Sequence, residues 1–168
     1  NSIVLNPTGT RGYVAGALYN PNTMKSTPAV VVIDTSTNTV LDTIILDTFT
    51  RGIAITPDGT SVYVTHAYQG QTYTICNKVT VIDTATNSVV TTITGFKDAS
   101  AIAINPYGTY AYVVNTPAFQ KDSVSVVSLE TNTIIKEIPI DSLSATGLRG
   151  IAIHPSGRKV YVSTAGNN

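Results

Sequence analysis

Two arginines and one histidine occupy the positions of this chain that best suit contact with a ligand. Arg51 and Arg149 each stand directly before the tripeptide Gly-Ile-Ala, and His66 opens a stretch that contains two tyrosines. Arginine forms bidentate hydrogen bonds with anionic groups, and tyrosine offers a flat surface for stacking. These residue types suit an anionic or glycan ligand. The structural alternative is that the arginines bond backbone carbonyls of a neighbouring segment and that the aromatic residues pack on neighbouring loops.

Metal and nucleophile chemistry have little support in the sequence. A structural zinc site needs four ligands and a catalytic one three, whereas His66, His154 and the single cysteine, Cys76, show no recognisable spacing. No G-x-S-x-G, P-loop or G-x-G-x-x-G motif is present. Asp34 and Asp83 stand at the start of polar turns, where Asx-type hydrogen bonds from backbone N–H groups are expected. The sequence therefore predicts neither an enzyme nor a metal or cofactor site.

Composition narrows the classes of partner. Lys plus Arg total 10 and Asp plus Glu total 10 in 168 residues, so the formal net charge is zero. A protein that binds nucleic acid needs a basic stripe to replace phosphate counterions. No such stripe is visible in the sequence, so nucleic acid is not expected as a partner. No apolar run is long enough for a membrane-spanning helix. Few charges and many Thr, Ser and Asn residues are typical of extracellular all-β proteins.

The elements that position these residues are copies of one repeat. Its anchor prolines lie 50, 49 and 49 residues apart, and a glycine and a tyrosine keep the same step. A period in this range marks stacked or radially arranged units, none of which buries its apolar faces alone. The copies are RGIAITPDGTSVYVT at residues 51–65, SAIAINPYGTYAYVV at 100–114, RGIAIHPSGRKVYVS at 149–163 and, less regularly, NSIVLNPTGTRGYVA at 1–15.

Each complete repeat predicts four short antiparallel strands. In the second copy these are an Ile-Ala-Ile strand (53–55), a Tyr-Val strand (62–64), a Val-x-Val-Ile-Asp strand (79–83) and a final strand (88–93). A Pro-x-Gly turn joins the first two, and a Thr-x-Thr-Asn turn joins the last two, because proline presets φ while glycine and asparagine tolerate positive φ. No helical period of useful length is present, so the fold class predicted is all-β. Four-stranded meanders at this spacing predict a β-propeller.

The pattern G-I-A-x-x-P-D-G-x-x-V-Y-V, followed by V-x-V-I-D-T-x-T-N-x-V-V-x-T-I, resembles the YVTN family of β-propeller repeats. That family is found in surface-layer and secreted proteins of archaea and bacteria. Residues 51–93 match the pattern almost residue for residue, and four copies agree in phase. WD repeats match less well, since the chain has no Trp. The resemblance implies that the Ile-Ala-Ile strand is innermost and lines a central channel.

The resemblance also implies about three and a half blades. The blades are expected at residues 1–49, 50–98 and 99–147, with a half-blade at 148–168. Propellers of this family usually have seven blades, so two open sides with apolar flanks are expected here. We therefore expect either a fragment of a larger propeller or a chain that completes a ring by self-association.

Ligand contacts are expected in the loops that follow the second strand of each blade, because a propeller departs from its consensus there. These loops cover residues 16–28, 66–77 and 115–122. In a propeller they share one rim with the segments that lead into the innermost strands. The residues expected around one mouth of the channel are therefore Arg51, Arg149, His66, Tyr68, Tyr73 and Phe119.

The function predicted is that of a non-enzymatic structural or interaction module. The resemblance implies a secreted or cell-surface protein, or alternatively a periplasmic one, whose partners are other proteins, copies of itself or glycans. The first alternative is a self-assembling subunit joined through its open blade ends. A further alternative is an enzyme, because related propellers in oxidoreductases and lactonases hold metals or quinone cofactors at the channel mouth.

Overall fold

The computed structural model describes residues 2–66, 77–117, 120–140 and 147–164. All regular structure in these ranges is β-strand. The described residues contain no helix that is long and apolar enough to cross a bilayer. The strands are β1 (Ser2–Leu5), β2 (Arg11–Asn20), β3 (Lys25–Asp34), β4 (Thr39–Ile45), β5 (Thr50–Ile55), β6 (Ser61–His66), β7 (Lys78–Asp83), β8 (Ser88–Thr94), β9 (Ala99–Ile104), β10 (Tyr110–Asn115), β11 (Ser123–Ser128), β12 (Thr133–Pro139), β13 (Leu148–Ile153) and β14 (Val160–Thr164).

The strands form four separate sheets, each an antiparallel meander in chain order. We call β1–β4 the first blade, β5–β8 the second blade, β9–β12 the third blade and β13–β14 the half-blade. Each innermost strand contacts the innermost strand of the next sheet, from β1 to β5, β9 and β13. The sheets are thus arrayed around a common axis. The all-β, partial β-propeller architecture that the repeat predicts is confirmed.

The core consists of the interfaces between successive blades. Side chains alternate between the two faces of a strand, so each Val- and Ile-rich sheet presents one aliphatic face to the blade before it and another to the blade after it. The first interface buries Tyr13, Ala15, Val30, Val32, Ile44 and Leu46 against Ile53, Val62, Val64 and Ile82. The second interface buries Ala54, Tyr63, Val79, Val81, Ile93 and Phe96 against Ala99, Ile102, Ala111, Val113 and Val127.

The outward face of the first blade is apolar and uncovered. Ile3 on β1 is 60% exposed, whereas the residues at the same repeat position in the second and third blades, Ile53 and Ile102, are 7% and 9% exposed. Leu5 on β1 and Val40 on β4 lie on the same face and are 52% and 63% exposed. The chain therefore presents to solvent a surface that its own interior interfaces bury.

The Pro-x-Gly turns pack against one another along the ring. Gly59 has φ +75°, and a Cβ atom there would lie 2.8 Å from Cδ of Pro7, which belongs to the turn of the preceding blade. Gly157 has φ +67°, and a Cβ atom there would lie 2.6 Å from the ring of Tyr107. Glycine is needed at these positions both for the positive φ and for the close approach of the neighbouring turn.

The first blade differs from the prediction at residues 16–28. The sequence predicts a variable loop there, but β2 and β3 continue to pair as far as Asn20 and Lys25. These strands are 10 residues long, whereas β6 and β7 in the second blade have 6 residues each. The segment is therefore an extended β-hairpin rather than an irregular loop.

Candidate functional site

The meander topology sorts the connections of each blade onto two opposite rims. The connections between the second and third strands, together with the segments that enter the next blade, lie on one rim, which we call the loop rim. The Pro-x-Gly turns and the Thr-x-Thr-Asn turns lie on the other, which we call the turn rim. Sequence variation is concentrated on the loop rim, so the candidate site was expected there.

The most prominent feature of the loop rim is the hairpin of the first blade. Leu18, Tyr19 and Met24 near its tip are 43%, 61% and 80% exposed. The tip is ordered by its own hydrogen bonds, because Oδ1 of Asn20 accepts the backbone N–H of Asn22 at 2.9 Å. Met24 adopts a positive φ of 52° within this turn. Three large apolar side chains are therefore held on a hydrogen-bonded scaffold that projects beyond the blade.

His66 is not a surface residue of this rim. Its side chain is fully buried, at 0% exposure. Nδ1 lies 3.1 Å from the carbonyl oxygen of Thr48, and Nε2 lies 2.7 Å from Oγ1 of Thr80. Nδ1 also lies 2.8 Å from Oγ1 of Thr48. Because a hydroxyl can donate or accept, these contacts satisfy both ring nitrogens of a neutral imidazole. Burial lowers the pKa of His66 below its usual value, so the ring is neutral at pH 7. Its hydrogen bonds link the segment between β4 and β5, which contains Thr48, to Thr80 on β7.

The corresponding residue of the third blade explains this role of His66. Asn115 occupies the same repeat position, is 1% exposed, and donates to Oγ of Ser125 at 2.8 Å. Its Oδ1 accepts the backbone N–H of Lys97 at 3.3 Å. His66 and Asn115 therefore perform the same structural task in successive blades. The sequence signal was present, because both stand at the asparagine position of the repeat motif.

The two arginines occupy different environments. Arg51 is half-buried and Arg149 is exposed. Burial raises the pKa of Asp98, and the positive charge of Arg51 opposes that shift. Asp98 has φ +58°, and its Oδ1 is buried without a hydrogen-bond partner within the described residues. The charge of Arg51 is therefore partly offset by a neighbouring carboxylate, which weakens its suitability for an anionic ligand.

A threonine makes the kind of bond to a neighbouring backbone carbonyl that the structural alternative expected of the arginines. Oγ1 of Thr65 donates to the carbonyl oxygen of Ser100, in the third blade, at 2.8 Å. The same atom accepts the backbone N–H of Gly52 at 2.8 Å. A Cβ atom on Gly52 would lie 2.9 Å from the Ser100 oxygen. The segment that carries Arg51 is thus fixed by close backbone packing.

The other residues expected at the channel mouth, Tyr68, Tyr73 and Phe119, lie outside the described residues, and so does Cys76. Within the part of the chain that the structure describes, no group of three His, Cys, Asp or Glu residues is placed to hold a metal ion. Of the six predicted contact residues, the structure therefore places three. Arg51 and Arg149 lie in segments of the loop rim, whereas His66 is withdrawn into the second blade.

Sequence reasoning missed a cavity on the turn rim. It lies between the second and third blades and has a volume of about 320 Å³. The residues that line it include Asp58, Ser61, Tyr63 and Glu130. The regular turn motifs give no sign of this cavity in the sequence, because only the packing of two blades creates the space.

The chain is similar in fold to two solved structures of low sequence identity. Hydrazine synthase of Kuenenia stuttgartiensis is 18% identical, with a TM-score of 0.74 over 96% of this chain and 54% of that chain. A functionally unknown protein from Desulfotomaculum acetoxidans DSM 771 is 18% identical, with a TM-score of 0.73 over 96% of this chain and 48% of that chain. This chain thus spans about half the length of each. No family model and no curated protein matches it.

Proposed function

We propose that this chain is a non-enzymatic interaction module of a secreted or cell-surface protein, in which a rigid propeller frame presents the loop rim to a protein partner. The observation that carries the proposal is the hairpin of the first blade, where Leu18 and Tyr19 are exposed on a paired strand and Met24 is exposed in the turn that joins the two strands. The resemblance to YVTN repeats, together with the low content of charged residues, supports a location outside the cytoplasm.

The frame suits presentation because its rigidity does not depend on the loop rim. The blades are held by buried aliphatic faces, and the turn rim is fixed by repeated hydrogen bonds. Oδ1 of Asp34 accepts the backbone N–H groups of Ser36 and Thr37 at 2.8 and 3.0 Å, and Oδ1 of Asp83 accepts that of Thr86 at 2.7 Å. The predicted capping role of both aspartates is thereby confirmed. Loops on the opposite rim are free to vary without loss of the core.

The hairpin suits recognition because it combines apolar area with low conformational freedom. Tyr19 and Met24 are residue types that are enriched in the cores of protein interfaces. Holding such side chains on an ordered scaffold reduces the entropy lost when a partner binds. A monomeric protein rarely leaves several large apolar side chains exposed at one projecting tip without an interaction that uses them.

Site-specific photo-cross-linking tests this proposal. A photoreactive residue placed at Tyr19 is compared with the same residue at Val90, which is equally exposed, at 61% and 63%, on the outermost strand of the second blade. Each protein is incubated with the envelope and culture-medium fractions of the source organism. We expect a discrete cross-linked product at Tyr19 that disappears when Met24→Ser is added. The same products at both positions, or none at Tyr19, would contradict the proposal.

A second candidate function, self-assembly through the open blade ends, is favoured by the uncovered face of the first blade. The interior interfaces show that another blade of the same repeat covers the equivalent surface, so a second copy is the partner with matching shape. Head-to-tail contacts of this kind form rings or open filaments. We expect light scattering after size exclusion to give a mass above the 17.7 kDa of one chain. Ile3→Asp should restore the monomer and Val90→Asp should not; a wild-type monomer excludes this function.

A further inference from the structure

The cavity on the turn rim has a natural comparison within the same molecule. It lies between the second and third blades, where Ser61 begins β6 and faces the third blade. At the corresponding place between the first and second blades, the residue at the same repeat position is Arg11, the first residue of β2. Nη1 of Arg11 donates to the carbonyl oxygen of Thr84, in the second blade, at 3.2 Å. The first groove therefore holds a guanidinium group supplied by the chain itself.

The second groove lacks that group because serine is too short to reach the neighbouring blade. The residue of the third blade that corresponds to Thr84 is Leu129, which also lines the cavity. The two positions are equivalent in backbone bonding, since Thr84 N–H donates to the Thr60 oxygen and Leu129 N–H donates to the Thr109 oxygen. The carbonyl that the guanidinium would reach is thus retained by the repeat, while the guanidinium is not.

Two carboxylates appear at the second groove where the first has neutral side chains. Asp58 takes the repeat position of Thr8, and Glu130 takes the repeat position of Ala85. Both residues line the cavity, one from the second blade and one from the third. Ser128, which also lines the cavity, takes the repeat position of Asp83. The first groove therefore has one cation, Arg11, and one carboxylate, Asp83, whereas the second groove has two carboxylates and no cation.

The orientation of Asp58 is fixed before any ligand arrives. Its Oδ1 accepts the Thr56 hydroxyl at 2.6 Å and the backbone N–H of Thr60 at 3.0 Å. These bonds also lower the pKa of Asp58, chiefly through the Thr56 hydroxyl, so the group is ionised at neutral pH. Glu130 has no hydrogen-bond or ion-pair partner within the described residues, which leaves its carboxylate available. A carboxylate accepts two parallel hydrogen bonds from the planar fork of a guanidinium group, which an ammonium group does not offer.

We propose that the groove between the second and third blades, lined by Asp58, Ser61 and Glu130, binds a guanidinium group from outside the chain, in the place that Arg11 fills between the first and second blades. The source is either an arginine side chain of a peptide or a small guanidinium compound. The site lies on the turn rim, opposite the hairpin, so it stands independently of the function proposed for the loop rim.

Titration of the chain by NMR tests the proposal with defined probes. Nα-acetyl-arginine amide is compared with Nα-acetyl-citrulline amide, which has nearly the same shape without the charge, and with Nα-acetyl-lysine amide. We expect saturable shifts of the Ser61 and Leu129 amide signals with the arginine probe and at least about tenfold weaker binding of the other two. Methylguanidinium and a Gly-Arg-Gly peptide then distinguish the two sources, since a site for a protein's arginine binds the peptide more tightly.

Variants of the two grooves provide the matched controls. Asp58→Asn with Glu130→Gln should weaken the arginine probe at least about tenfold, and Ser61→Arg should abolish binding because its own guanidinium fills the space. Arg11→Ser opens the first groove, but that groove should bind the arginine probe more weakly than the second, because Thr8 and Ala85 carry no charge and Asp83 accepts hydrogen bonds from its own turn. An amide spectrum like that of the wild type shows that each variant is folded. Equal binding of the citrulline probe, or undiminished binding to Ser61→Arg, would overturn the proposal.

Discussion

The interface between the first and second blades and the interface between the second and third blades share one apolar pattern but differ in their polar contacts. In both, a tyrosine of the second strand is buried among valines and isoleucines, at 0% exposure for Tyr13 and 3% for Tyr63. Oη of Tyr63 donates to Oδ1 of Asn132 at 2.7 Å. Oη of Tyr13 and Oδ1 of Asn87, which hold the same repeat positions, are buried without partners within the described residues.

A single residue accounts for this difference. Asn87 donates its side-chain amide to Oδ2 of Asp42, on β4 of the first blade, at 3.0 Å. The residue at the same register in the second blade is Thr91, which has no carboxylate to hold Asn132. The repeat therefore fixes how the blades pack, while individual polar substitutions decide which cross-blade bonds form. The predictions below use the two interfaces as mutual controls.

The largest expected effect concerns the side chain that closes each interface at the loop rim. Phe96, 2% exposed, fills the second interface, and Leu46, 7% exposed, fills the same position in the first. Truncating a buried aromatic residue removes contacts and leaves a cavity. We expect Phe96→Ala to lower the free energy of unfolding by about 3–5 kcal/mol in urea denaturation, and Leu46→Ala to lower it less. A loss below about 1 kcal/mol for Phe96→Ala would show that the interface is not a packed core.

The next effect depends on pH and on the different residues, His66 and Asn115, at one repeat position. Burial lowers the pKa of His66 in the folded state below the 6.5 of an exposed histidine. The unfolded chain therefore binds the proton more readily, and stability falls as the pH drops below 6.5 towards the folded-state pKa. The slope is at most about 1.4 kcal/mol per pH unit. His66→Asn, which copies the third blade, should remove this component.

Urea denaturation of wild type and His66→Asn at several values between pH 5 and pH 8 provides the measurement. Other groups titrate identically in both proteins, so only the difference between the two curves reports on the histidine. Parallel curves over this range would contradict the assignment of His66 as a buried, neutral residue.

A smaller effect separates the two tyrosines. Tyr63→Phe removes a hydrogen bond and leaves Asn132 without its donor, so we expect a loss of about 0.5–1.5 kcal/mol in the free energy of unfolding. Tyr13→Phe removes a buried hydroxyl that has no partner, and it should leave stability unchanged or raise it. Thermal and urea unfolding of both variants provide the comparison. Equal destabilisation by the two substitutions would show that the interfaces do not differ in this bond.

The smallest effect lies in the exposed turn of the first blade. Hydrogen bonds from the Ser36 hydroxyl and from the backbone of Thr37 and Ser36 lower the pKa of Asp34 from 3.8 to about 2. Its contribution to stability is present above the unfolded-state value and is lost as the pH falls through about 2. Asp34→Ser, which copies Ser128 of the third blade, should therefore flatten the stability profile between pH 4 and pH 2. An unchanged decline with acid would mean that the turn bonds do not favour the ionised form.

Most of the fold can be predicted from the sequence because the same pattern of strands and turns recurs in four copies. Local propensity and apolar alternation, which a single sequence shows, determine the strands and the radial stacking of the blades. They also determine the positive-φ turns at Asn38 and Asn87. The sequence predicts a loop in place of the extended hairpin because residues 16–28 depart from the repeat consensus. Its pairing depends on strand register, which composition does not specify.

The candidate site was harder to predict for a related reason. A histidine beside a tyrosine-rich loop suggests a ligand, but the structure buries His66 and bonds it to the hydroxyl of Thr80 on the neighbouring strand. The cavity on the turn rim arises from the difference between Arg11 and Ser61. In the sequence this is an ordinary substitution between repeats, because only the packing of two blades shows that the position faces the next blade. The contacts between strands and between blades therefore could not be predicted from the sequence.

Exchange of Arg11 and Ser61 tests most directly the claim that the blades share one frame while a single polar position decides whether a groove is open. A crystal structure of the double variant Arg11→Ser/Ser61→Arg should show unchanged blade packing. The new guanidinium should lie against the Leu129 carbonyl, and the cavity should move to the first interface. Displaced blades, or a new arginine that points to solvent and leaves the second groove open, would contradict the account.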